Sequence, residues 1–419
     1  MQHSIGSGHV GRKIDRIGRH VEFRLRLENH AHIRLAFGEA SALVAMQIIE
    51  DALKDAVGSD AHVSWVSSDC ILVRLLDDRF LGTGPSSTLC QRWLAEFCLA
   101  MAVRPVAGDT GIFHVAVSGD WSATDLASGE RQSGKEKPFV CGAISTADDW
   151  ALAYRSDMGC VVKLFDLLRC KEAGLPRGRL IVRWQPIFDV SVAGEIFYYE
   201  SLIGEMKDDG EVASLFPSIL SAERVGLARI LDRHMFDVIV AELEAFPDVA
   251  LAVNISAQSV QQDAGWAAIQ ERLRHDPAVA RRLIIEITET AALPQLADAA
   301  HFVRAMQHLG CRIALDDFGT GFASIRQLLA LEPSIAKIDR FFVRRLASKN
   351  ADTATFASLL GLAKSLGVHV VVEGIETAAQ AEAVAELGGT LQQGWYWQTL
   401  TSARPWARAG ATERTSAVS

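Results

Sequence analysis

The sequence predicts an α/β protein whose C-terminal half is a (β/α)8 TIM-like barrel and whose N-terminal half is a smaller α+β domain. Two observations predict the barrel. From about residue 180 to residue 406, short runs rich in Ile and Val alternate with helical segments, which indicates a parallel sheet. About 230 residues in roughly eight such units is the usual length of a closed barrel.

Acidic or amide residues come at the ends of six successive apolar runs in this half. A carboxylate at the end of one buried strand is common, but six in succession would each need a partner. The carboxyl ends of parallel barrel strands converge on one pocket, and a hard divalent cation would satisfy oxygen ligands there. The residues are Glu200, Asn254, Glu286, Asp316 with Asp317, Asp339 and Glu373.

The composition limits the possible classes of protein. A chain of 419 residues with 49% hydrophobic content supports a buried core in two domains. The net charge of −9 disfavours binding to a nucleic acid polymer. Seven cysteines without a CxxC pair predict reduced thiols and a cytoplasmic location. Because no run approaches the roughly 18 apolar residues of a membrane span, none is expected.

Changes in residue pattern divide the chain into five segments. Residues 1–20 are rich in Gly, His and Arg and are predicted to be flexible. Residues 21–170 mix strand and helix patterns, and 171–180 (KEAGLPRGRL) are predicted to be a linker because Gly and Pro interrupt the preceding helix. The barrel is expected at 181–406, followed by a flexible tail at 407–419.

The N-terminal elements are predicted in order from their periodicity. VEFRLRL alternates and indicates a strand. Residues 40–57 have helical period, and HVSWVSSDCILVRLL reads as two strands joined by a hairpin turn at Ser67-Ser68-Asp69. A helix, a strand and a long helix follow. The apolar stripe of the 40–57 helix is predicted to be Leu43, Met46, Ile49, Leu53 and Val57.

Several long motifs in the second half occur in a fixed order and together resemble the EAL domain, the barrel that hydrolyses cyclic di-GMP. The resemblance covers about residues 180–400. Any one of these motifs alone would be a weak signal, whereas DDFGTG, KID and EGIE in this order are specific. The motifs are Gln185-Pro186-Ile187, Tyr199-Glu200-Ser201-Leu202, Ala222-Glu223, Gly226-Leu227, VNIS with Asn254, EITE at 286–289, DDFGTGF at 316–322, KID at 337–339, EGIE at 373–376 and Gln393-Gly394.

The resemblance implies a two-metal site. Glu200, Asn254, Glu286 and Asp316 would hold one Mg²⁺ or Mn²⁺ ion, with Asp316 bridging to a second ion that Asp317 also binds. The chemistry agrees, because cleavage of a phosphodiester needs an activated water and neutralisation of the phosphoryl charge, which two cations supply. Oxygen ligands suit Mg²⁺ or Mn²⁺, and the lack of Cys and His ligands argues against zinc.

The same resemblance assigns the remaining site residues. Lys337 would polarise the attacking water or a phosphoryl oxygen, and Glu373 is the expected general base. Glu289 would anchor the DDFG loop. Taken singly, Glu200, Asp339 or Glu373 would also suit the N-terminus of the following helix. Four residues are expected to bind substrate: Gln185, Leu202, Glu376 and Gln393.

Two departures from the EAL pattern follow Glu200. Ser201 replaces a similarly small Ala. Four residues after Glu200, where the family usually has an Arg that contacts a ligand phosphate, this chain has Gly204. A charge-assisted pair of this kind contributes about 1.5–3 kcal/mol, so weaker binding or slower turnover is expected. Arg183 and Lys207 are the candidate substitutes, and the sequence does not choose between them.

The first half resembles a degenerate GGDEF domain, the diguanylate cyclase fold, and an unrelated α+β sensor is the alternative. Its signature turn reads Ser67-Ser68-Asp69-Cys70-Ile71, without the glycines that let backbone approach phosphates. Cys70 stands at the acidic position, Arg26 at the first metal position, and Arg34 and Leu35 at the guanine-binding positions. The resemblance therefore implies an inactive domain that regulates the barrel or binds a protein partner.

Three functions compete on these observations. The complete set of metal ligands favours a phosphodiesterase that converts cyclic di-GMP to linear pGpG, slowed by Gly204. A cyclic di-GMP receptor with little or no turnover is the alternative, and an interaction scaffold that ignores the nucleotide is the third. The resemblance also implies a homodimer formed through the EAL domain near the DDFG loop.

Overall fold

The structure of the protein is a computed structural model. It describes residues 19–58, 61–76, 86–125, 131–136, 148–169, 179–192, 194–288, 295–319, 325–346 and 353–407. The predicted flexible ends and the predicted linker at 171–180 fall almost wholly outside these residues.

The N-terminal unit is built from strands β1 (Arg19–Leu27), β2 (His62–Ser67), β3 (Cys70–Leu76), β4 (Pro105–Gly108), β5 (Gly111–His114), β6 (Val117–Asp125) and β7 (Arg131–Glu136). Its helices are α1 (His30–Phe37), α2 (Glu39–Val57), α3 (Ser86–Val103) and α4 (Asp148–Arg169). Five of the strands form an antiparallel sheet in the order β2-β3-β1-β6-β7, and β4 pairs with β5 in a separate hairpin.

Strand β1 lies at the centre of this sheet, as its alternating sequence requires. Val21, Phe23 and Leu25 are fully buried, while Arg24 between them is exposed. The predicted hairpin is also confirmed, because β2 and β3 pair across a turn at Ser68-Asp69.

The predicted apolar stripe of α2 is wrong at one position. Leu43 is 52% exposed, whereas Met46, Ile49, Leu53 and Val57 are buried as predicted. Small side chains explain the difference. Ala42 and Ala45 are fully buried and continue the stripe toward the start of the helix, so the helix approaches the sheet on the alanine side.

The second unit is an eight-stranded barrel, which confirms the predicted fold. The barrel strands are β8 (Arg179–Asp189), β9 (Glu195–Met206), β11 (Leu251–Ser256), β12 (Leu283–Thr288), β13 (Arg312–Phe318), β14 (Ile335–Ile338), β15 (His369–Val372) and β16 (Leu391–Gln392). Strand β10 (Val212–Ser214) is appended to β9. The barrel closes because β8 pairs with both β9 and β16.

The repeating strand–helix pattern expected from the sequence fails at the first barrel strand. β8 runs antiparallel to both of its neighbours, while the other seven strands are parallel to one another. Only residues 190–194 connect β8 to β9. A parallel crossover needs a dozen or more residues, so a connection of this length produces a hairpin.

Helices surround the barrel on the outside. They are α5 (Phe216–Arg224), α6 (Ala228–Ala245), α7 (Ala264–His275), α8 (Pro277–Arg282), α9 (Leu296–His308), α10 (Ile325–Leu331), α11 (Arg340–Leu346), α12 (Thr353–Ser365) and α13 (Ala378–Glu386). The packing of these helices is illustrated by Trp266, whose ring is fully buried. It contacts the rings of Phe236 and Phe302 edge to face, with ring centroids 5.2 and 4.8 Å apart, respectively. No described helix is both long and apolar enough to cross a membrane.

The two units contact each other along α4 and α5. Asp157 on α4 accepts hydrogen bonds from Arg224 Nε at 2.8 Å, Arg224 Nη2 at 2.6 Å and Ser221 Oγ at 2.9 Å. The guanidinium and carboxylate meet with two parallel hydrogen bonds, which is the strong geometry for such a pair. Helix α5 is thus held by the N-terminal unit at one face.

Candidate functional site

A mainly apolar layer fills the barrel interior just below the candidate site. It consists of Ile187, Tyr198, Ala252, Ile284, Ala314, Ile335, Val371 and Leu391. Strand side chains face the same way every second residue, so the next inward positions form a second layer at the barrel mouth. All eight positions of that layer are polar, and the last two lie one residue past the ends of β15 and β16: Gln185, Glu200, Asn254, Glu286, Asp316, Lys337, Glu373 and Gln393.

Lys337 lies at the centre of the polar layer and is almost completely buried. Its Nζ is 2.7 Å from Glu286 Oε2 and 2.6 Å from Glu373 Oε1. It is also 3.1 Å from Glu200 Oε2 and 3.4 Å from Asp316 Oδ1. One ammonium group therefore faces four carboxylates, and the site carries an excess of negative charge that a bound cation would offset.

Amide and phenol groups complete the hydrogen bonding of the carboxylates. Asn254 Nδ2 donates to Glu200 Oε1 at 2.9 Å, and Gln393 Nε2 donates to Glu200 Oε2 at 2.6 Å and to Gln185 Oε1 at 3.2 Å. Tyr198 donates its hydroxyl to Glu286 Oε1 at 2.8 Å. These bonds fix the rotamers of the two glutamates.

A β-bulge places both Asp316 and Asp317 at the barrel mouth. Consecutive strand residues normally face opposite sides, but the β13–β14 register shifts between Leu315 and Phe318, so that two residues lie opposite Lys337. Asp317 has a φ of 53°, a left-handed conformation that is costly for a residue with a side chain. Strain of this kind persists where the surrounding structure imposes it, and it is common at functional sites.

The arrangement of oxygen atoms fits a divalent cation. One carboxylate oxygen from each of Asp316, Asp317 and Glu373 lies within 4.8 Å of the others. Asn254 Oδ1 and Asp316 Oδ1 are buried and accept no hydrogen bond from any described residue, although Lys337 lies near the latter. Buried acceptors without donors, in a set made only of oxygens, are what Mg²⁺ or Mn²⁺ requires.

Burial and neighbouring charges shift the pKa values of the carboxyl groups in this cluster in different directions. Burial raises the pKa of Glu286 to about 8, with Lys337 opposing the shift, and burial likewise raises the pKa of Glu373 well above its usual range. Burial also raises the pKa of Asp317, to about 6, with help from the neighbouring Asp316. For Glu200 the effect of burial is outweighed by the charge of Lys337 and by hydrogen bonds, so its pKa is lowered. Titratable groups with separated pKa values are typical of catalytic sites.

A pocket with a volume of about 210 Å³ opens beside the carboxylate cluster. Glu200, Asn254, Asp316 and Asp317 form its polar end. The rest of the wall is mainly apolar and comes from β9, β11, α5 and α6, including Leu202, Ile203, Phe216, Ile219, Leu231, Met235, Val253 and Ile255. A concave apolar pocket that ends on converging polar groups is the usual form of a small-molecule site.

The structure brings together most, but not all, of the residues expected from the sequence. The eight residues of the polar layer, with Asp317 and Leu202, converge on one mouth. Glu376 lies outside the cluster and pairs with Arg344 at 3.5 Å on the surface. Asp339 accepts a hydrogen bond from Phe341 N at 2.8 Å at the start of α11, and it also contacts Asp317. Glu289 lies outside the described residues.

Three further residues belong to the site and were not expected from the sequence. Tyr198 holds Glu286 from the layer below. Glu223 accepts from Ser256 Oγ at 2.7 Å, and Asp232 accepts from Ser256 N at 2.9 Å, and both acids line the pocket. Burial raises the pKa of Asp232 to about 7. The pair Ala222-Glu223 belongs to the motifs that carry the resemblance, but no site role was assigned to it. For Asp232 the only signal was an acid within an apolar helical pattern, which by itself also fits a surface position.

Comparison with known proteins gives the class that this barrel and its polar mouth define. A sequence model of the EAL domain matches residues 170–399, and the chain belongs to this family. The cyclic di-GMP phosphodiesterase PdeF of Escherichia coli (strain K12) is 30% identical over 228 residues, which are 54% of this chain and 30% of PdeF. The signaling protein YkoW of Bacillus subtilis (strain 168) is 24% identical over 383 residues, which are 90% of this chain and 47% of YkoW.

Solved structures extend the likeness to the N-terminal unit. The Vibrio cholerae LapD S helix-GGDEF-EAL structure in its apo form has a TM-score of 0.50 and 16% identity. The superposition covers 90% of this chain and 88% of the LapD chain, and therefore includes both units. The N-terminal unit thus has a GGDEF-like fold. The EAL enzyme Bd1971, bound to cAMP and cyclic di-GMP, has a TM-score of 0.53 and 22% identity over 61% of this chain and 68% of its own. The chain spans less than half the length of PdeF and of YkoW.

Proposed function

We propose that the barrel hydrolyses cyclic di-GMP to linear pGpG in a reaction that depends on two Mg²⁺ or Mn²⁺ ions. The observation that carries this proposal is the polar layer at the barrel mouth, where four carboxylates surround the single ammonium of Lys337. Two of these carboxylates, Glu200 and Asp316, also line the polar end of the pocket. The name of PdeF, which identifies that relative as a cyclic di-GMP phosphodiesterase, supports the choice of substrate.

The ligand set follows from the oxygens that converge. Glu200, Asn254, Glu286 and Asp316 would hold one cation, and Asp316 with Asp317 would help to hold a second. Asn254 Oδ1, which is buried and accepts no hydrogen bond from a described residue, supports its role. Among the described residues Asp316 Oδ1 has only the ion-pair contact with Lys337 at 3.4 Å, which leaves it room for a cation. Two bound cations would neutralise the phosphoryl oxygens and lower the pKa of a bound water.

In this reaction Glu373 accepts a proton and Lys337 holds Glu373 in position. A water oxygen bonds to phosphorus while the P–O bond to the leaving 3′ oxygen breaks. Glu373 takes the proton of the water as general base, and the 3′ oxygen takes a proton from solvent to become the free hydroxyl of pGpG. Burial raises the pKa of Glu373 above its ordinary value, which makes it a stronger proton acceptor. Lys337 Nζ, at 2.6 Å from Glu373 Oε1, positions that carboxylate and polarises the reacting group.

Substrate would lie in the pocket beside this centre. Leu202 lines the wall. Gln185 and Gln393 are buried in the polar layer and form a hydrogen-bonded pair there. Glu376 is 41% exposed at its side chain, so contact with substrate requires it to leave Arg344. Glu289 remains the proposed anchor of the DDFG loop.

The test is incubation of the purified chain with Mn²⁺ and cyclic di-GMP, followed by chromatography of the nucleotides. We expect linear pGpG to appear, to disappear when EDTA is added, and to fall by at least about a hundredfold in Glu200→Gln, because this change removes a charged oxygen ligand. Asp189→Asn is the control and should match wild type, because Asp189 is a half-buried acid at the far end of β8. Product formation that is equal in wild type and Glu200→Gln would exclude this centre.

The second candidate is a receptor that binds cyclic di-GMP without turnover. Gly204 favours it, because the chain lacks a side chain at a position expected to contact phosphate. Calorimetry in Ca²⁺ separates the two, since Ca²⁺ accepts the same oxygen ligands in a looser geometry. Binding in Ca²⁺ without any pGpG in Mn²⁺ would establish the receptor.

We further propose that the GGDEF-like unit regulates the barrel without chemistry of its own, and that it offers a surface to a protein partner. Support comes from the Ser68-Asp69 turn and from the burial of Cys70. Helix α5 provides a route, because Arg224 binds Asp157 of the N-terminal unit while the neighbouring Glu223 lines the pocket. Pull-down with the full chain tests for a partner.

Asp157→Asn is therefore expected to change turnover, although it lies outside the barrel. Loss of the carboxylate charge weakens both hydrogen bonds to Arg224, so α5 should exchange its amide hydrogens faster and kcat/KM should change by about twofold or more. Asp166→Asn is the matched control, because Asp166 lies on the same helix and pairs only with the nearby Arg169 among the described residues. Identical exchange and kinetics in the two variants would argue against coupling through α5.

A homodimer through the barrel, a cytoplasmic location and the five segments of the chain remain parts of the proposal. Exposed apolar side chains on α10 and α11, namely Ile325, Leu329 and Phe341, support the dimer because they follow the DDFG segment. Sedimentation at micromolar concentration would show it, and a monomer at those concentrations would exclude it.

A further inference from the structure

Arg183 lies on the same face of the barrel wall as the site residues. In the β8–β9 ladder, Gln185 is paired with Glu200, Arg183 with Leu202 and Ile181 with Gly204. Side chains two residues apart share a face, so Arg183 follows Gln185 on the side that faces the mouth. Its partner Leu202 lines the pocket.

Gly204 leaves the space that Arg183 occupies. A Cβ built on Gly204 would come within 3.2 Å of Arg183 Nε and within 2.7 Å of Val212 Cγ1. Both are closer than ordinary contacts, so any side chain at position 204 would displace the guanidinium or the appended strand β10. The observed position of Arg183 therefore depends on the absence of a side chain at position 204.

The guanidinium of Arg183 has no anionic partner within the part of the chain that the structure describes. Its Nε is buried and donates no hydrogen bond there. Burial lowers its pKa, and no carboxylate contributes in the opposite direction. A buried donor without a partner is uncommon and costs free energy unless a ligand supplies the acceptor.

Lys207, the other cation near this rim, is already engaged. Its Nζ is 3.2 Å from Glu211 Oε2 in a largely exposed pair. It also lies beyond the end of β9, away from the pocket lining. The two candidate cations therefore differ in burial, pairing and position.

We propose that Arg183 binds a phosphate of the cyclic dinucleotide at the barrel mouth, in the space that Gly204 provides. This inference rests on the proposed function and adds a ligand-binding residue to it. The planar guanidinium matches two phosphate oxygens with parallel hydrogen bonds, which an ammonium cannot do. The chain then keeps a phosphate-binding arginine, supplied by β8 instead of β9.

The test is calorimetric titration of the full chain with cyclic di-GMP in Ca²⁺. We expect Arg183→Gln to raise Kd by roughly ten- to hundredfold, the usual effect of a charge-assisted pair. Arg183→Lys should fall between wild type and Arg183→Gln, because it keeps the charge but not the planar fork. Lys207→Gln removes an equal charge nearby and should change Kd less than twofold.

Gly204→Ala tests the same geometry while leaving Arg183 in the chain. The added Cβ should push the guanidinium away and weaken binding severalfold. Thermal melting of each variant checks that it is folded. If Arg183→Gln unfolds, the Kd values of Arg183→Lys and Gly204→Ala test the role of Arg183 instead.

The outcomes separate this inference from the proposed function. If wild type binds cyclic di-GMP and a folded Arg183→Gln variant binds it equally well, the role of Arg183 is wrong and the proposed function stands. Equal loss in Arg183→Gln and Lys207→Gln would also overturn it, because only the total charge would then matter. If wild type binds no cyclic di-GMP, both fail together.

Discussion

Lys337→Met should lower the free energy of unfolding of the metal-free chain by about 3–5 kcal/mol and abolish hydrolysis of cyclic di-GMP. The variant leaves Glu200, Glu286, Asp316 and Glu373 facing one another without the buried ammonium that now contacts all four. Methionine fills much of the same volume, so the loss comes from charge and hydrogen bonding more than from a cavity.

The sign of the pH dependence distinguishes this loss from simple misfolding. Burial already raises the pKa of Glu286, Asp316 and Glu373, and removal of the ammonium should raise all three further. In the folded variant these groups then bind protons that the unfolded chain releases near its ordinary pKa values. Their stability contribution is therefore retained at low pH and lost as pH rises. Denaturation in urea with EDTA should show a smaller deficit at pH 5 than at pH 8.

A divalent cation should partly replace the missing charge in Lys337→Met. Added Ca²⁺ is expected to restore more stability to the variant than it adds to wild type, because the variant's carboxylates carry no internal cation. Lys163→Met, at an exposed position on α4, serves as the control and should unfold with wild type. A Lys337→Met protein as stable as that control at pH 8 would show that the cluster is hydrated rather than buried.

The second large effect is expected at Asp263, which has no role in the proposed chemistry. Asp263 is completely buried and forms ion pairs with Arg229 and with Arg233, whose Nη2 lies 2.7 Å from Asp263 Oδ1. It also caps α7 by accepting a hydrogen bond from Trp266 N at 3.0 Å. Asp263→Asn keeps the shape but removes the charge between two buried guanidinium groups, which should cost about 3–5 kcal/mol of unfolding free energy.

Thermal and urea unfolding measure this loss. A deficit of that size should lower the melting temperature by roughly 6–20 °C, given about 2–4 °C per kcal/mol for a unit of 150–250 residues. Asp237→Asn is the matched control, because Asp237 meets Arg272 at 3.3 Å on the surface, where such pairs contribute under about 1 kcal/mol. Equal melting of the two variants would mean that Arg229 and Arg233 find other partners at little cost.

Runs of residues with one clear period were sufficient to predict most elements. LII before Glu286 and VHVVV before Glu373 are short, branched and apolar, and both become fully parallel barrel strands because burial on two faces selects for such side chains. The hairpin at Ser68-Asp69 follows from local turn chemistry. The exposure of Leu43 was not predicted, since it depends on how α2 packs against strands distant in sequence. The antiparallel direction of β8 was also missed, although its cause, the short connection to β9, is local.

The candidate site was predicted as a set of residue types but not as a geometry. Glu200 was placed at a strand end, whereas it lies in the middle of β9, which continues to Met206. The bulge at Asp316-Asp317 and the hydrogen bond from Tyr198 to Glu286 arise only after the barrel closes. Glu376 was expected at the site from its motif, but in the structure it pairs with Arg344 on the surface.

The sequence by itself determined the barrel, the family and the identity of the acids at the mouth, because hydrophobic period and motif order are local properties of the chain. Tertiary structure alone decided that Lys337 faces four carboxylates, that Arg183 occupies the space over Gly204, and that α5 connects the two units. Such contacts join residues separated by tens to more than a hundred positions. They depend on strand register and closure, which are set by the packing of the whole barrel and by no local segment.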